Sequence, residues 1–316
     1  MAAVTNKSNS LLRYPGGKAK ITKFVANILE RNNIHGTYIE PFAGGAGVAI
    51  NLLLTNQIRH AVINDLDDGV YSFWKTVFEN PQSLRKRIKA VPFDYATPNL
   101  WPQPSQRAQY WFHIKKRYQQ NSYRSIEDKA FDFFMLNRMN VSGIIDGGPI
   151  GGLAQEGQYS IASRFNKQNL LLKLDQVSQL ASRITLTNFE ASHFLALAKK
   201  GKFNISKGDS LFFVDPPYYV QGKHLYSCYA TDRIHSGVAN ELLDSELQWI
   251  LTYDTAPQID ALYPAESVQK YEYEIQYSAN KRGRFKEYLF SSNDLQIESF
   301  DNVALSRLYA AAPNVA

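Results

Sequence analysis

At 316 residues the chain is long enough for one large α/β domain carrying a smaller inserted one, and no apolar run approaches the roughly 18 residues of a membrane helix. The polar start over residues 1–10 is no signal peptide, and a single cysteine, Cys228, excludes a disulfide framework and fits a reducing cytosol. Net charge is +6, and the excess is local: positions 75–175 hold 15 basic and 8 acidic side chains (+7), the remainder 20 and 21 (−1). That distribution is the footprint of a nucleic-acid-binding insertion on a neutral core.

Taken in order, Leu11-Leu12-Arg13-Tyr14-Pro15-Gly16-Gly17-Lys18 is a Pro/Gly turn. The spacing of Ile21, Phe24, Val25, Ile28 and Leu29 predicts a helix after it. Gly-Gly-Lys is not a phosphate loop here, because the four-residue spacer between glycines and the hydroxyl residue after the lysine are both missing. An aromatic ring, two glycines and a cation suit a ligand's carboxylate and edge instead. Residues Thr37-Tyr38-Ile39-Glu40-Pro41-Phe42-Ala43-Gly44-Gly45-Ala46-Gly47 read as a strand and a Gly-rich loop, with a helix over 48–54. A second strand over 61–65 ends on Asp65, a spacing suited to a carboxylate gripping ribose hydroxyls. A dinucleotide-binding dehydrogenase shares this much, but its third glycine would fall on Ile50, and no later signal supports hydride chemistry.

From Tyr71 to about Asp175 the alternation of strands and helices stops. Helical, aromatic and basic patches follow, among them Lys115-Lys116-Arg117 and Asn137-Arg138-Met139-Asn140-Val141-Ser142-Gly143. A bridge over 144–158 carrying Gly147, Gly148, Gly151, Gly152 and Gly157 reads as a loop or hairpin, and the stretch through Arg164 closes it. Glycines with scattered basic side chains suit either a DNA groove or an irregular surface loop, and the local charge excess favours DNA. Alternation then resumes with a helix over 170–180, a strand over 184–187 ending near Phe189-Glu190, and a helix over 191–199.

The apolar run Leu211-Phe212-Phe213-Val214 reads as a buried strand that stops at Asp215-Pro216-Pro217-Tyr218-Tyr219. Prolines cannot donate to a sheet ladder, so Asp215 is expected at the strand's carboxyl end with a stiff, exposed loop after it. The Asp215 carboxylate and the Pro216 carbonyl are adjacent acceptors, and Tyr218 offers a ring beside them. Such a set fits an exocyclic amino group on a planar heterocycle. A strand over 249–254 and a terminal hairpin, 268–277 and 285–291 about the basic turn Lys281-Arg282-Gly283-Arg284, complete a mixed sheet, and the tail after Phe300 reads as frayed.

In these motifs, and in their order, the sequence resembles the Dam-type (D12 class, α-group) DNA adenine-N6 methyltransferases. Arg13-Tyr14-Pro15-Gly16-Gly17-Lys18, Glu40-Pro41-Phe42-Ala43-Gly44-Gly45, Asn64-Asp65, Asn137-Arg138 with Ser142-Gly143, and Asp215-Pro216-Pro217-Tyr218 carry the likeness over nearly the whole chain. The resemblance implies an α/β fold, a Rossmann-like seven-stranded mixed sheet, with an inserted, mainly helical target-recognition domain. The expected division is a flexible tail (1–10), a catalytic domain (11–74 and 176–300), the insertion (75–175) and a C-terminal tail (301–316).

It further implies S-adenosyl-L-methionine as cofactor, S-adenosyl-L-homocysteine as product, and no metal. Tyr14, Gly17 and Lys18 would meet the methionine portion, and Glu40, Phe42, Ala43, Gly44, Gly45 and Phe189 the cofactor's neighbourhood. Asp65 would meet its ribose, and Asp215, Pro216 and Tyr218 would act on a flipped adenine. Lys115, Lys116, Arg117, Arg138, Asn140, Ser142 and Arg164 are the expected DNA contacts. Two departures stand out. The last glycine of the loop is displaced to Gly47, and the acid at the third strand's end is either shifted to Glu190 or replaced by Asn188. Double-stranded DNA is the implied partner, a restriction endonuclease acting on the same site is compatible with it, and a prokaryotic or phage cytoplasmic setting follows. Cytosine C5 chemistry is excluded because its nucleophile is a cysteine after a proline, whereas Cys228 follows Ser227. N4-cytosine methylation remains the alternative, with Asp215 in place of that group's serine favouring adenine; an RNA adenine methyltransferase and a non-catalytic DNA-binding subunit are the more distant ones.

Overall fold

Short runs rich in β-branched and aromatic residues form five parallel strands, β1 (Thr37–Glu40), β2 (His60–Asn64), β3 (Ile184–Thr187), β4 (Ser210–Val214) and β5 (Trp249–Asp254). Strands β6 (Gln269–Tyr277) and β7 (Gly283–Ser291) form an antiparallel hairpin, and β8 (Leu305–Arg307) pairs with β6. The sheet order is β3-β2-β1-β4-β5-β7-β6-β8. The seven-stranded expectation therefore holds through β7, and the stretch read as a frayed tail supplies an eighth edge strand. The computed structural model describes residues 3–14, 16–96, 103–203, 205–219, 232–277 and 283–308; Pro15, Cys228 and the Lys281-Arg282 turn lie outside them.

Among the described residues the α-helices are α1 (Thr22–Arg31), α2 (Gly47–Leu54), α3 (Asp68–Glu79), α4 (Pro81–Ala90), α5 (Pro104–Gln120), α6 (Ile126–Met139), α7 (Lys167–Ser178), α8 (Ala191–Lys199), α9 (Asp232–Leu243) and α10 (Pro257–Leu262). The chain divides into two units, one of Met1–Ser8, Lys18–Leu66 and Arg183–Ala316, the other of Asn9–Gly17 and Asp67–Ser182.

The first unit holds the whole sheet. Every position of β4 and β5 is buried, as expected of central strands covered on both faces. Its core joins Ile39, Val62, Phe212, Val214, Trp249 and Leu251 of the strands to Phe194 and Leu195 of α8 and Val238 and Leu242 of α9. At the carboxyl ends of the strands, buried Asn64 saturates its amide. Nδ2 donates to the carbonyls of Pro41 and Phe189, both at 2.9 Å, and Oδ1 accepts from Phe189 N and Thr187 Oγ1, both at 2.8 Å. One side chain thus fixes the loops leaving β1, β2 and β3.

The second unit is helical. Phe73 of α3 stacks on Phe134 of α6 with centroids 5.4 Å apart, and Phe93 meets Phe165 edge-on at 5.2 Å. Asn137 clamps the main chain of Arg13, accepting from its N at 2.8 Å and donating to its O at 2.8 Å, and also donates to Gly143 O at 3.1 Å. Gly143 has φ +81°, and a Cβ there would collide with the Arg13 carbonyl oxygen. Two of the sequence motifs are therefore parts of one structural knot. The glycine-rich bridge turns back through an Asn140–Pro149 β-bridge, with Gly151 and Gly152 at positive φ.

Removing the Asn64 amide would leave main-chain groups at two loops buried without partners, each costing about 1–3 kcal/mol. Asn64→Leu is expected to lower the melting temperature by several degrees and to loosen the loop holding Phe189. A thermal melt with an unchanged midpoint would refute this clamp.

Candidate active site

The prolines after Val214 end the β4 ladder, so Asp215 stands where parallel strands present their carboxyl ends, the usual place for ligands in open α/β sheets. Its side chain is 21% exposed. Oδ1 accepts from Lys18 Nζ at 2.8 Å and from Thr252 Oγ1 at 2.7 Å, while among the described residues Oδ2 accepts no hydrogen bond. Thr252 reaches it because β4 and β5 run in parallel register, Val214 opposite Leu251. Lys18 opens the 3-10 turn before α1, and its side chain is 3% exposed. Its ammonium also meets the Tyr218 hydroxyl at 2.5 Å and Glu287 Oε2 at 3.9 Å, and it lies 4.8 Å from the centre of the Tyr218 ring. Glu287, 1% exposed on β7, accepts from the Tyr273 hydroxyl of β6 at 2.5 Å.

Burial pushes the Asp215 carboxyl above the usual carboxylate range, Lys18 and the Thr252 hydroxyl oppose that, and the Glu287 charge adds to it. The loop after Asp215 is not the exposed one the sequence suggested. Pro216 is buried and Tyr218 is 7% exposed, because the Tyr218 ring packs into the core 6.5 Å from Tyr253.

Alternation along β1 turns Tyr38 and Glu40 to the same side of the sheet, and Tyr38 stacks on Phe213 of β4. Glu40 is buried with Oε1 accepting from Ala49 N at 3.2 Å. Desolvation lifts its carboxyl to about 8, and the Asp215 charge contributes, so Glu40 is mostly neutral at pH 7. In the loop that follows, Ala43 N donates to Asn64 O at 2.8 Å, and Gly44 N donates to Asp65 Oδ2 at 2.7 Å. Gly44 and Ala46 both take positive φ there, and Ala46 forms the N-cap of α2. Phe42, Gly45 and Phe189 are half-buried, and the Phe189 ring stands edge-on to His193 at 5.5 Å. Of the two candidates for the third strand's acid, Glu190 caps α8 and Asn188 donates to the carbonyls of Asp65 and Leu66.

Lys18, Glu40, Phe42, Ala43, Gly44, Gly45, Asp65, Phe189, Asp215, Pro216 and Tyr218 all belong to the sheet-bearing unit, at or next to the carboxyl ends of β1 to β4 or at the start of α1. Tyr14 and Gly17 belong to the helical unit, where Gly17 N donates to Tyr14 O at 3.1 Å. Thr252, Glu287 and Tyr273 escaped the sequence reading. The one available signal was a hydroxyl, Thr252, following the apolar start of β5 and level with Asp215.

The basic candidates of the helical unit divide by burial. Lys115 is buried and donates to Ile145 O at 2.8 Å, and Asn140 accepts from Trp111 Nε1 at 2.7 Å while donating to Ile144 O and Ile145 O. Arg117 holds the buried Asp132 with two hydrogen bonds. Ser142 takes positive φ in the turn before Gly143. Lys116 and Arg164 are exposed. Arg138 donates to the Arg164 carbonyl, and Arg13 to Asn140 O at 3.2 Å. Burial and neighbouring guanidinium charges lower Arg138 to about 9 and Arg13 to about 10, and among the described residues Arg13, Arg138 and Arg164 have no carboxylate partner.

The description of D12 class N6 adenine-specific DNA methyltransferases matches residues 14–278. The type II methyltransferase M.MjaIII of Methanocaldococcus jannaschii is 22% identical over 216 residues, 66% of this chain and 68% of that protein. Two solved structures are looser likenesses. A Pyrococcus horikoshii protein assigned as an RNA methyltransferase has 9% identity, covers 92% of each chain and gives a TM-score of 0.39. The rRNA methyltransferase AviRa of Streptomyces viridochromogenes has 10% identity over 88% of this chain and 86% of its own, with a TM-score of 0.36. That match over residues 14–278 spans most of the chain, and the chain belongs to the D12 class N6 adenine-specific DNA methyltransferase family.

Proposed function

We propose that Asp215 and the Pro216 carbonyl accept the two N6 hydrogens of an adenine turned out of duplex DNA, and that the methyl donor is S-adenosyl-L-methionine. The observation that carries this reading is the Asp215 carboxylate, fixed through Oδ1 by Lys18 and Thr252 with no hydrogen bond on Oδ2 among the described residues. An adenine amino group is a poor nucleophile because its lone pair is delocalised into the ring. Two acceptors on its hydrogens draw the nitrogen towards tetrahedral geometry and aim the lone pair, so catalysis is chiefly positioning. As N6 bonds to carbon and the carbon–sulfur bond breaks, the N6 proton becomes acidic, and Asp215 Oδ2 is placed to take it. Asp215 need not be a strong base for that.

The residues of the strand ends suit the donor. When bound, S-adenosyl-L-methionine supplies an electrophilic methyl on a sulfonium sulfur. Asp65 would hold the ribose, the β1–α2 loop from Phe42 to Gly45 would approach through its main chain, and Phe189 would offer a ring face. Gly44 at positive φ and the small Ala43 and Ala46 support close backbone approach. Tyr218 is the proposed stacking partner of the adenine; because Tyr218 is 7% exposed, with Lys18 and Tyr253 beside its ring, stacking requires the turn after β4 to shift on binding. Flipping costs a few kcal/mol, which stacking and backbone contacts offset.

The helical unit is the proposed target-recognition element. Its support is the localised charge excess and Arg13, Arg138 and Arg164, which have no acidic partner among the described residues and which phosphates would complete. A restriction endonuclease of the same sequence is a candidate partner, since methylation would protect its site. No described helix is long and apolar enough to cross a membrane.

Asp215→Ala is expected to abolish labelled-methyl incorporation into duplex DNA while cofactor and DNA affinities stay close to wild type; full activity would overturn the assigned role. Duplex affinity should fall steeply with salt on a log–log plot, and Lys116→Ala and Arg164→Ala should each reduce that slope by about one. A flat salt response would move recognition away from this unit.

A further inference from the structure

The motif that carries Asp215 does not by itself orient the carboxylate. Its backbone ends in two prolines, and both hydrogen bonds on Oδ1 come from elsewhere in the sheet-bearing unit, Thr252 of β5 at 2.7 Å and Lys18 at 2.8 Å. Lys18 is in turn faced by Glu287 of β7 at 3.9 Å, and Glu287 is held by Tyr273 of β6 at 2.5 Å. A carboxylate turns about two side-chain torsions, so a single bond on one oxygen would leave the other free to swing, whereas two donors converging on Oδ1 fix both. Burial makes Thr252 and Glu287 otherwise costly: the Thr252 hydroxyl finds its partner in Asp215, and Glu287, hydrogen-bonded by Tyr273, stands within ion-pair reach of Lys18.

We infer that Thr252 and Glu287 are positioning residues for methyl transfer: Thr252 holds Asp215 directly and Glu287 holds it through Lys18, so that Oδ2 is presented to the amino group. This rests on the transfer role given to Asp215 above. The groups that face Asp215 electrostatically are Lys18, Glu287 of β7, Tyr38 and Glu40 of β1, and Tyr253 of β5. Thr252 donates to the ionised carboxylate and so favours it, while the Glu287 charge disfavours it. Transfer needs Asp215 ionised, so the rate falls on the acid side as Asp215 takes a proton. Losing the Thr252 hydroxyl therefore moves the acid limb of the rate profile to higher pH, and neutralising Glu287 moves it to lower pH.

The test is single-turnover methyl transfer to duplex DNA by the full chain, measured across pH for Thr252→Val, Thr252→Ser, Glu287→Gln and Asp215→Asn, with cofactor and DNA affinities and a melting curve for each. Thr252→Val is expected to slow transfer roughly ten- to hundredfold at unchanged affinities, as a misplaced reacting group does. Its acid limb should move up, and Thr252→Ser should restore both rate and limb. Glu287→Gln is expected to slow transfer with its acid limb moved down. Shifts of opposite sign are not produced by general loosening of the fold. Thr252→Val at the wild-type rate with an unmoved limb overturns the inference, as does Thr252→Ser as slow as Thr252→Val. Should Thr252→Val fail to fold, Glu287→Gln decides, an unmoved limb overturning the proposal. A fully active Asp215→Asn would instead remove the role assigned to Asp215 itself, an outcome separate from any result at Thr252 or Glu287.

Discussion

The structure of the candidate site depends on one buried ion pair, Lys18 with Asp215. The Lys18 ammonium is withdrawn from water and Asp215 keeps only partial access, and an ion pair largely taken out of solvent returns little or no net stability. What it returns is geometry. Lys18 is 3% exposed and cannot leave without uncovering a buried carboxylate, a loss of about 3–5 kcal/mol for pairs of this kind. The pair also joins the first helix of the unit to the end of its central strand, residues almost two hundred positions apart. Lys18 and the Asp-Pro-Pro-Tyr turn thus form one device within the sheet-bearing unit, the ammonium bonding both Asp215 and Tyr218.

Around that pair the sheet supplies rigidity where the loops cannot. Asn64 closes the ends of β1, β2 and β3 on each other, so the Gly44–Asp65 contact and the Phe189 loop share one hydrogen-bonded frame. On the other side the antiparallel hairpin brings Glu287 and Tyr273 towards Lys18. The reversal of strand direction after β5 therefore has a chemical consequence: it places side chains of β6 and β7 in the network at the carboxyl ends of parallel strands, where a further parallel strand would need another crossover helix.

Much of this was legible in the sequence because apolar runs and turn residues carry local information. β3, β5 and α8 fall where periodicity placed them, and Asp215 stands at a strand end because the prolines after it dictate as much. What was not legible is pairing across the sheet. Nothing near Thr252 announces that its hydroxyl meets a carboxylate from another strand, and Glu287 reads as one more outward charge in an alternating edge strand. Tyr218 was expected at the surface because proline turns are usually exposed, but tertiary packing against Tyr253 and the Lys18 ammonium drew it inward. In the helical unit, Asn137 and Gly143 stood out in the sequence only as parts of the shared motifs, and the structure uses them to hold the main chain of Arg13, while Asn140, expected to contact DNA, braces the turn through Ile144 and Ile145. Residue type alone does not separate a polar group that binds from one that braces.

Three acids crowd the same end of the sheet, and their environments divide the work. Glu40, with burial dominant and a main-chain donor too weak to offset it, is held near 8 and stays mostly protonated at neutral pH. Glu287 is paired with Tyr273 and stands within ion-pair reach of Lys18. Asp215 takes the closest approach of the ammonium and a hydroxyl besides. Among these three Lys18 reaches Asp215 and Glu287, and Glu40, which feels the Asp215 charge without that ammonium, takes its proton instead. Keeping Glu40 neutral spares Asp215 a second repulsion, since the two carboxyl groups feel each other's charge. A permanently charged group at position 40 would set a second buried negative charge against Asp215 and favour its protonation, so the neutrality of Glu40 is itself part of what keeps Asp215 available as an acceptor.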